Sequence, residues 1–95
     1  MIVIVGHLVV DEADRSTVVE AFRDLVRRAR DFPGCVHLAI TADPVDPRRV
    51  NNAEVWESAE ALAAWRAQAN APDPGVEIVE DHMRKYEADD GGAVF

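Results

Sequence analysis

The chain has 95 residues, of which 48% are hydrophobic, and its 18 acidic residues against 10 lysines and arginines give a formal net charge of −8. That charge repels phosphate groups, so we expect neither a nucleic acid nor an anionic membrane as a partner. The length predicts one small domain, and a domain of this size leaves enough apolar surface exposed to favour an oligomer.

The start of the sequence is apolar but does not resemble a targeting segment. Residues 1–10 are too few to span a bilayer, and they lack the basic leader and the cleavage site of a signal peptide. The single cysteine, Cys35, has no partner for an internal disulfide, which fits a reducing compartment. We therefore expect a cytoplasmic protein.

The first part of the sequence predicts a strand, a helix and a second strand. Residues 2–10 are β-branched and nearly uncharged, which is typical of a strand buried on both faces. Asp11 is placed to cap one long amphipathic helix, whose apolar residues recur at spacings of three and four until Pro33 and Gly34 end it. Residues 35–42 then alternate as a strand before a proline-containing turn.

The second part predicts a strand, a helix and a last strand. Residues 49–57 form a strand antiparallel to the one before it, because the turn of about six residues is too short for a parallel crossover. Ser58 caps an alanine-rich helix over residues 59–70, and Pro72 and Pro74 follow its end. Residues 76–88 contain the last strand, although the first of them are also compatible with a turn of helix.

The resulting order, βαββαβ, is that of a ferredoxin-like α+β domain with one antiparallel sheet and two helices on one face. We predict this domain over residues 1–88, followed by a flexible tail over residues 89–95. The other face of the sheet would be exposed to solvent in a monomer. A second copy of the chain would cover it in a symmetric homodimer.

The third strand carries the most informative polar residues. Its alternation places Asn52, Glu54 and Trp56 on one face. Polar groups beside a tryptophan on a buried strand need partners, because an unsatisfied group costs about 1–3 kcal/mol or more. One interpretation is that Trp56 belongs to the core, Glu54 pairs with an arginine and Asn52 bonds to backbone. The other is that a ligand supplies the partners.

Two further sets of residues are candidates for chemistry. His7 could act as a base, because an imidazole titrates near neutral pH, and Gly6 beside it leaves room for a ligand or a close backbone. The alternative is a core histidine with satisfied hydrogen bonds. Cys35 and His37 are expected on one face of the second strand, but they supply only two ligands, so we expect no metal site.

Several features together resemble the antibiotic biosynthesis monooxygenase domain. They are an opening strand, a helix that ends at Pro-Gly, a turn of the form Asp-Pro-x-Asp-Pro-x-Arg, and the run Asn-x-Glu-x-Trp-Glu-Ser before a helix that contains a tryptophan. The residues that carry the resemblance over residues 1–88 are Pro33, Gly34, Cys35, Asn52, Glu54, Trp56, Ser58, Leu62 and Trp65. It implies a dimeric α+β barrel.

The resemblance implies a cofactor-independent monooxygenase, an oxidoreductase that acts as a homodimer on a planar aromatic quinol or phenol with dioxygen. No cofactor is expected. In quinol-oxidising members of the family, an Asn four residues before a Trp, together with that Trp, holds the oxygens of the substrate in a cavity between sheet and helices. The matching positions in this sequence are Asn52 and Trp56.

Oxidation by dioxygen without a cofactor requires the protein to make and shelter a substrate anion. A base must take a proton, N–H donors must stabilise the resulting oxyanion, and an apolar cavity must strengthen both effects. The predicted catalytic residues are therefore His7 as base, with Asn52 and Trp56 as donors. The predicted substrate-binding residues are Phe22, Glu54, Leu62 and Trp65, of which the three apolar ones are alternatively plain core residues between helix and sheet.

Two alternatives remain within the same fold. Haem degradation is less favoured, because the position of the axial histidine in haem-degrading members holds Gly75 here. The second alternative is a non-catalytic dimer that binds a small hydrophobic molecule or mediates assembly. An enzyme needs an open cavity lined by the candidate residues, whereas an assembly module should fill that space with side chains.

Overall fold

The computed structural model describes residues 1–95 as five strands and three α-helices. A short 3-10 turn at Glu12–Asp14 precedes the first helix, and Asp11 caps it through a hydrogen bond from the Ala13 N–H. The elements are β1 (Ile2–Val9), α1 (Arg15–Ala21), α2 (Arg23–Arg30), β2 (Cys35–Ala42), β3 (Arg49–Trp56), α3 (Ala59–Gln68), β4 (Glu80–Asp81) and β5 (Arg84–Glu87).

All strands pair antiparallel in one sheet, in the order β2-β3-β1-β4, and β5 also pairs with β1. The central strand is therefore β1, with β3 on one side and β4 and β5 on the other. The expectation that β1 is buried on both faces is not met within one chain, since Val5 on the face away from the helices is 42% exposed. Helices α2 and α3 pack against one face of the sheet. The predicted ferredoxin-like α+β fold is confirmed. No helix combines the length and the apolar character that crossing a membrane would require.

The pairing of β1 with β3 sorts their side chains onto two faces of the sheet, because directly paired residues share a face. The helix face, against which the helices pack, carries Ile2, Ile4, Gly6 and Leu8 of β1 with Val50, Asn52, Glu54 and Trp56 of β3. The open face carries Val3, Val5 and His7 of β1 with Asn51, Ala53 and Val55 of β3.

The long helix predicted after β1 is in fact two helices. Phe22 separates them with φ −92° and ψ −2°. In α1, Val18 packs into a small core cluster with Val10 and Val50, whereas α2 packs into the larger core cluster. Phe22 contacts both clusters. The break therefore lets each half of the helical segment follow a different part of the twisted sheet.

The last strand is shorter than predicted and is interrupted. Only β4 and β5 are regular within residues 76–88, and the chain between them crosses the backbone of Gly6. A Cβ atom at Gly6 would lie 2.2 Å from the carbonyl oxygen of His82, and the φ of Gly6 is +153°. The close backbone that we considered for Gly6 is therefore what the structure contains.

A β-bulge at the start of β2 corrects the expectation that Cys35 and His37 share a face. Cys35 pairs with Trp56 and His37 pairs with Val55, so β2 has one extra residue, Val36, at this point. The extra residue reverses the alternation. Cys35 consequently lies on the helix face and His37 on the open face.

The turn between β2 and β3 is held by the carboxylate of Asp43. Its Oδ2 accepts hydrogen bonds from the backbone N–H groups of Val45 at 3.0 Å and Asp46 at 2.8 Å. Its Oδ1 accepts one from Asn51 Nδ2 at 2.7 Å. These donors, of which the Asp46 N–H contributes most, lower the pKa of Asp43 to about 2.

Replacing Gly6 with alanine should destabilise the fold, because the added methyl group collides with backbone and the φ is one that alanine rarely adopts. We expect the free energy of unfolding in urea to fall by about 3 kcal/mol. Gly91→Ala is the control, since nothing lies within 4 Å of a Cβ atom at that position. Equal losses in the two variants would contradict the close approach.

Asp43 should make stability depend on pH in the acid range. Its pKa in the folded state lies below the ordinary 3.8, so its contribution is complete above about pH 4 and is lost as the pH falls towards 2. The free energies of unfolding of the wild type and of Asp43→Asn, measured in urea, should therefore differ at pH 6 and converge near pH 2. The tail variant Asp89→Asn should follow the wild type throughout. A difference that stays constant with pH would contradict this role.

Candidate functional site

A cavity of about 270 Å³ lies between the helix face of the sheet and the helices. Of its 14 lining residues, 11 are hydrophobic, and the polar ones are Asn52, Glu54 and Arg66. The apolar lining comes from every helix and from strands β1 to β3: Leu8, Val18, Phe22, Leu25, Leu38, Ile40, Val50, Trp65, Ala69, Ala71 and Met83. The space is therefore open and mostly apolar, with a few polar groups on its wall, as is typical of small-molecule sites.

The polar groups on β3 bond to one another. Asn52 Nδ2 donates a hydrogen bond to Glu54 Oε2 at 3.2 Å, and the indole Nε1 of Trp56 donates one to Glu54 Oε1 at 3.2 Å. None of the ion pairs in the structure includes Glu54. Glu54 thus takes its partners from two neutral donors on its own strand, and not from an arginine.

The strands on either side of β3 place apolar residues beside this carboxylate. Glu54 pairs with Ile4 of β1 and with Leu38 of β2, whose side chains are 5% and 2% exposed. The carboxylate therefore faces the cavity from between two buried aliphatic side chains. Glu54 itself is half-buried, so its carboxylate has aliphatic neighbours on both sides and remains accessible from the cavity.

An aromatic cluster fixes the position of Trp56. Its ring stacks on that of Trp65 with a centroid distance of 6.0 Å and an interplanar angle of 23°, and Phe32 meets both rings edge-on. Trp56 is fully buried, and it does not line the cavity. Its single N–H is used by Glu54. Trp56 therefore reaches the cavity only through the carboxylate that it holds.

The cavity brings together four of the residues that we predicted for the site, namely Phe22, Asn52, Glu54 and Trp65. Leu62 is a core residue that is 5% exposed, and it borders a separate surface depression with Ile2 and Lys85. Leu62 therefore does not line this cavity, and a role for it in binding substrate stays a prediction. It lies one helical turn before Trp65, on the part of α3 that is next to the N-terminal end of β1.

The structure places His7 away from the cavity. It lies on the open face of β1, where its ring stacks on that of His82 with a centroid distance of 4.7 Å. The physical reason is alternation: Gly6 faces the helices, so its sequence neighbour His7 faces the other way. The sheet itself separates this imidazole from Asn52 and Glu54, and a role for His7 as the base stays a prediction.

Sequence reasoning missed several residues of the cavity wall. Leu8 and Val50 pair with each other on the helix face, so the alternation that grouped Asn52 with Glu54 could have found them. Met83 could not have been found in this way. It enters the wall because the chain is interrupted between β4 and β5, where it crosses Gly6.

The charge of Glu54 influences the nearby thiol of Cys35. Burial raises the pKa of this thiol, and the negative charge of Glu54 raises it further, whereas Arg30 acts in the opposite direction. The thiol therefore stays protonated and neutral near neutral pH. Cys35 also does not line the cavity, so it offers neither a nucleophile nor a base there.

A ferredoxin-like α+β domain with an apolar cavity between its sheet and helices is the class of protein that these observations define. The sequence profile of the family described as "Antibiotic biosynthesis monooxygenase" matches residues 1–88. The chain belongs to this family. Membership supports a monooxygenase-like function in general terms, and the family is generally dimeric. A search of curated proteins finds no match to the chain.

Solved structures share the fold at low sequence identity. A proposed antibiotic biosynthesis monooxygenase from Deinococcus radiodurans is 16% identical with a TM-score of 0.81, covering 100% of this chain and 99% of that one. A proposed antibiotic biosynthesis monooxygenase from Nitrosomonas europaea is 19% identical with a TM-score of 0.68, covering 93% and 98%. A conserved protein from Bacteroides thetaiotaomicron is 22% identical with a TM-score of 0.75, covering 92% and 96%. These likenesses show the fold.

Proposed function

We propose that the chain is a cofactor-independent monooxygenase that oxidises a planar aromatic quinol or phenol with dioxygen in the cavity. The observation that carries this proposal is the pair Asn52 and Glu54 on the wall of an otherwise apolar space. Such a wall can orient an oxygen of the substrate while the remaining surface holds an aromatic ring. Family membership supports the type of reaction.

The shape and chemistry of the cavity suit an aromatic substrate. Phe22 and Trp65 contribute aromatic surface, and the stack of Trp65 on Trp56 holds that surface rigid. The volume of about 270 Å³ is just below the range of about 300–1,000 Å³ that is usual for small-molecule pockets, which favours a compact ring system. Only one N–H of the Asn52 amide bonds to Glu54, so its second N–H can donate to a substrate oxygen.

The reaction balances without a further reductant. A quinol and dioxygen give a hydroxyquinone and water, since one oxygen atom enters the ring and the other takes two hydrogens from the substrate. The slow step for triplet dioxygen is the transfer of one electron from the substrate, which an anion performs more readily than a neutral phenol. An apolar cavity with oriented N–H donors stabilises such an anion more effectively than water does.

Oxygen uptake should test this function directly. With a panel of anthrones and naphthoquinols, Asn52→Ala should lower turnover by more than about tenfold, because it removes the only amide on the cavity wall. Gln68→Ala is the control, since this exposed amide lies on α3 outside the cavity. Thermal unfolding of both variants checks that the fold persists. Equal turnover in the wild type and Asn52→Ala would contradict a role for Asn52.

The same cavity also supports a second candidate function, that of a non-catalytic binding module. The supporting observation is that the space is open and apolar, which suits a small hydrophobic ligand and does not suit a module for assembly alone. Ligand binding without oxygen uptake above the autoxidation background, across the whole panel, would favour this candidate over the monooxygenase.

We further propose that a second copy of the chain covers the open face. Val5 is 42% exposed there, and Tyr86 of β5, which pairs with Val3, is 54% exposed. Large apolar side chains grouped on one sheet face are typical of an interface. The partners in this proposal are a second copy of the chain, the aromatic substrate and dioxygen, in a cytoplasmic protein whose only thiol, that of Cys35, is free.

Val5→Asp should convert the dimer to a monomer, because it places a charge in the centre of the proposed interface. Light scattering after size-exclusion chromatography measures the mass. Val45→Asp is the matched control, since Val45 is 89% exposed in the turn between β2 and β3. A wild-type monomer, or dissociation of both variants alike, would count against the open face as the interface.

A further inference from the structure

We propose that Glu54 is the base that accepts a proton from the substrate, and that Asn52 and Trp56 hold its carboxylate in position. The inference rests on the proposed function, since it assigns a role within the same cavity. It reassigns the acid–base role from His7, to which the chemistry of the imidazole alone pointed.

The composition of the cavity wall leaves only one group able to accept a proton. Besides apolar side chains, the wall contains Asn52, Arg66 and Glu54. An amide is not basic at neutral pH, and a guanidinium is always protonated. The wall contains no histidine, lysine, cysteine or tyrosine. A proton that leaves a substrate bound in this cavity therefore has Glu54 as its one acceptor within the wall.

The hydrogen bonds of Glu54 suit a base that is held in place but not blocked. Each of its oxygens accepts one N–H, from Asn52 and Trp56 respectively, at 3.2 Å. A carboxylate has about four lone-pair sites, so each oxygen keeps one free for a proton. The N–H groups of Asn52 and Trp56 can only donate, so both oxygens of Glu54 act as hydrogen-bond acceptors. No cation pairs with Glu54 and competes for the remaining sites.

Trp56 acts here as a positioning residue. It is fully buried and stacked on Trp65, so its indole N–H points from a rigid core towards the carboxylate. A side chain whose hydrogen-bond donor cannot move restricts the rotamers of the acceptor to which it donates. Glu54 is therefore presented to the cavity in a single orientation, although a free glutamate side chain would adopt several.

The geometry gives His7 no comparable path to the substrate. Its ring lies on the open face beside His82, with the sheet between it and the cavity. The Cys35 thiol, whose pKa is influenced by the charge of Glu54, has a raised pKa and does not line the cavity. Arg30 contributes positive charge near Cys35 but forms its hydrogen bond with the carbonyl oxygen of Leu38, and not with Glu54.

With an anthrone as substrate, Glu54 takes one proton from the methylene carbon, and the electron pair left behind gives one electron to dioxygen. The resulting radical and superoxide combine to form the carbon–oxygen bond of a peroxide anion, which takes the proton back from Glu54. Glu54 then takes the second proton from the same carbon while the O–O bond breaks, and the leaving hydroxide accepts that proton as water. The product is the quinone, and one dioxygen is consumed.

The test compares the pH dependence of turnover in Glu54→Gln and in the wild type. At pH 7, the variant should lose about a hundredfold or more in turnover, as is typical when a general base is removed. Its residual turnover should rise with pH in proportion to the ionised substrate, because a substrate that ionises in solution needs no base. The wild type should show no such rise. Uptake without protein, measured at each pH, is subtracted as the background.

Three further variants make the test specific. Glu54→Asp keeps the carboxylate, so it should retain more turnover than Glu54→Gln and should lack the rise with pH. Trp56→Phe removes the indole N–H together with part of a buried aromatic ring, so thermal unfolding first checks that the fold persists. The folded variant should lower kcat and leave KM unchanged, which a general loss of structure would not do. Glu20→Gln is the control, because Glu20 is exposed on α1 and pairs with Arg23 outside the cavity.

The outcomes distinguish failure of the role assigned to Glu54 from failure of the proposed monooxygenase function. If Glu54→Gln retains the full wild-type turnover at pH 7, Glu54 is not the base, and the monooxygenase proposal is unaffected. A large loss in His7→Gln with recovery at high pH, without a loss in Glu54→Gln, also overturns the role assigned to Glu54 and returns it to His7. Absence of uptake in the wild type overturns the proposed function and the base together. If Glu54→Gln does not fold, as circular dichroism would reveal, a Glu54→Asp variant that folds and is inactive at every pH overturns the proposal.

Discussion

The register between β1 and β3 is the constraint on which the site depends. It places Gly6 opposite Asn52 and Ile4 opposite Glu54, so the polar residues of β3 face the helices. A slip of one residue would turn Asn51, Ala53 and Val55 towards the helices instead and move the polar cluster to the open face. Gly6 holds this register from the other side, because only a residue without a side chain accommodates the chain that crosses it before β5.

The polar cluster at the edge of the core is tolerated because its members satisfy one another. Glu54 accepts from Asn52 and from Trp56, and no buried side-chain polar atom in the structure lacks a partner. Such a cluster contributes little to stability compared with apolar residues of the same shape, since a partly buried charged group must first lose part of its water. Two of its members, Asn52 and Glu54, line an open apolar cavity, and the proposed function rests on this placement.

Much of this arrangement could be predicted from the sequence, and the remainder depends on contacts between distant residues. Alternation on β3 was sufficient to group Asn52 with Glu54 and Trp56. On β1 it was not, because apolar residues on both parities hid which face carries His7. Neither the bulge residue Val36 nor the bend residue Phe22 is a glycine or a proline, so residue type does not predict either irregularity. The bend at Phe22 lies where this side chain contacts both core clusters. The interruption before β5 depends on Gly6, more than 70 residues earlier in the chain.

The cavity wall draws residues from all three helices, three strands and the segment before β5, including Val18, Ile40, Trp65 and Met83. A ligand in the cavity therefore bridges elements that separate when the chain unfolds, and its binding energy adds to the stability of the whole domain. At a free concentration of one hundred times Kd, this linkage adds about 2.7 kcal/mol to the free energy of unfolding. The melting temperature of the protein consequently reports on occupancy of the cavity, even for compounds that dioxygen does not attack.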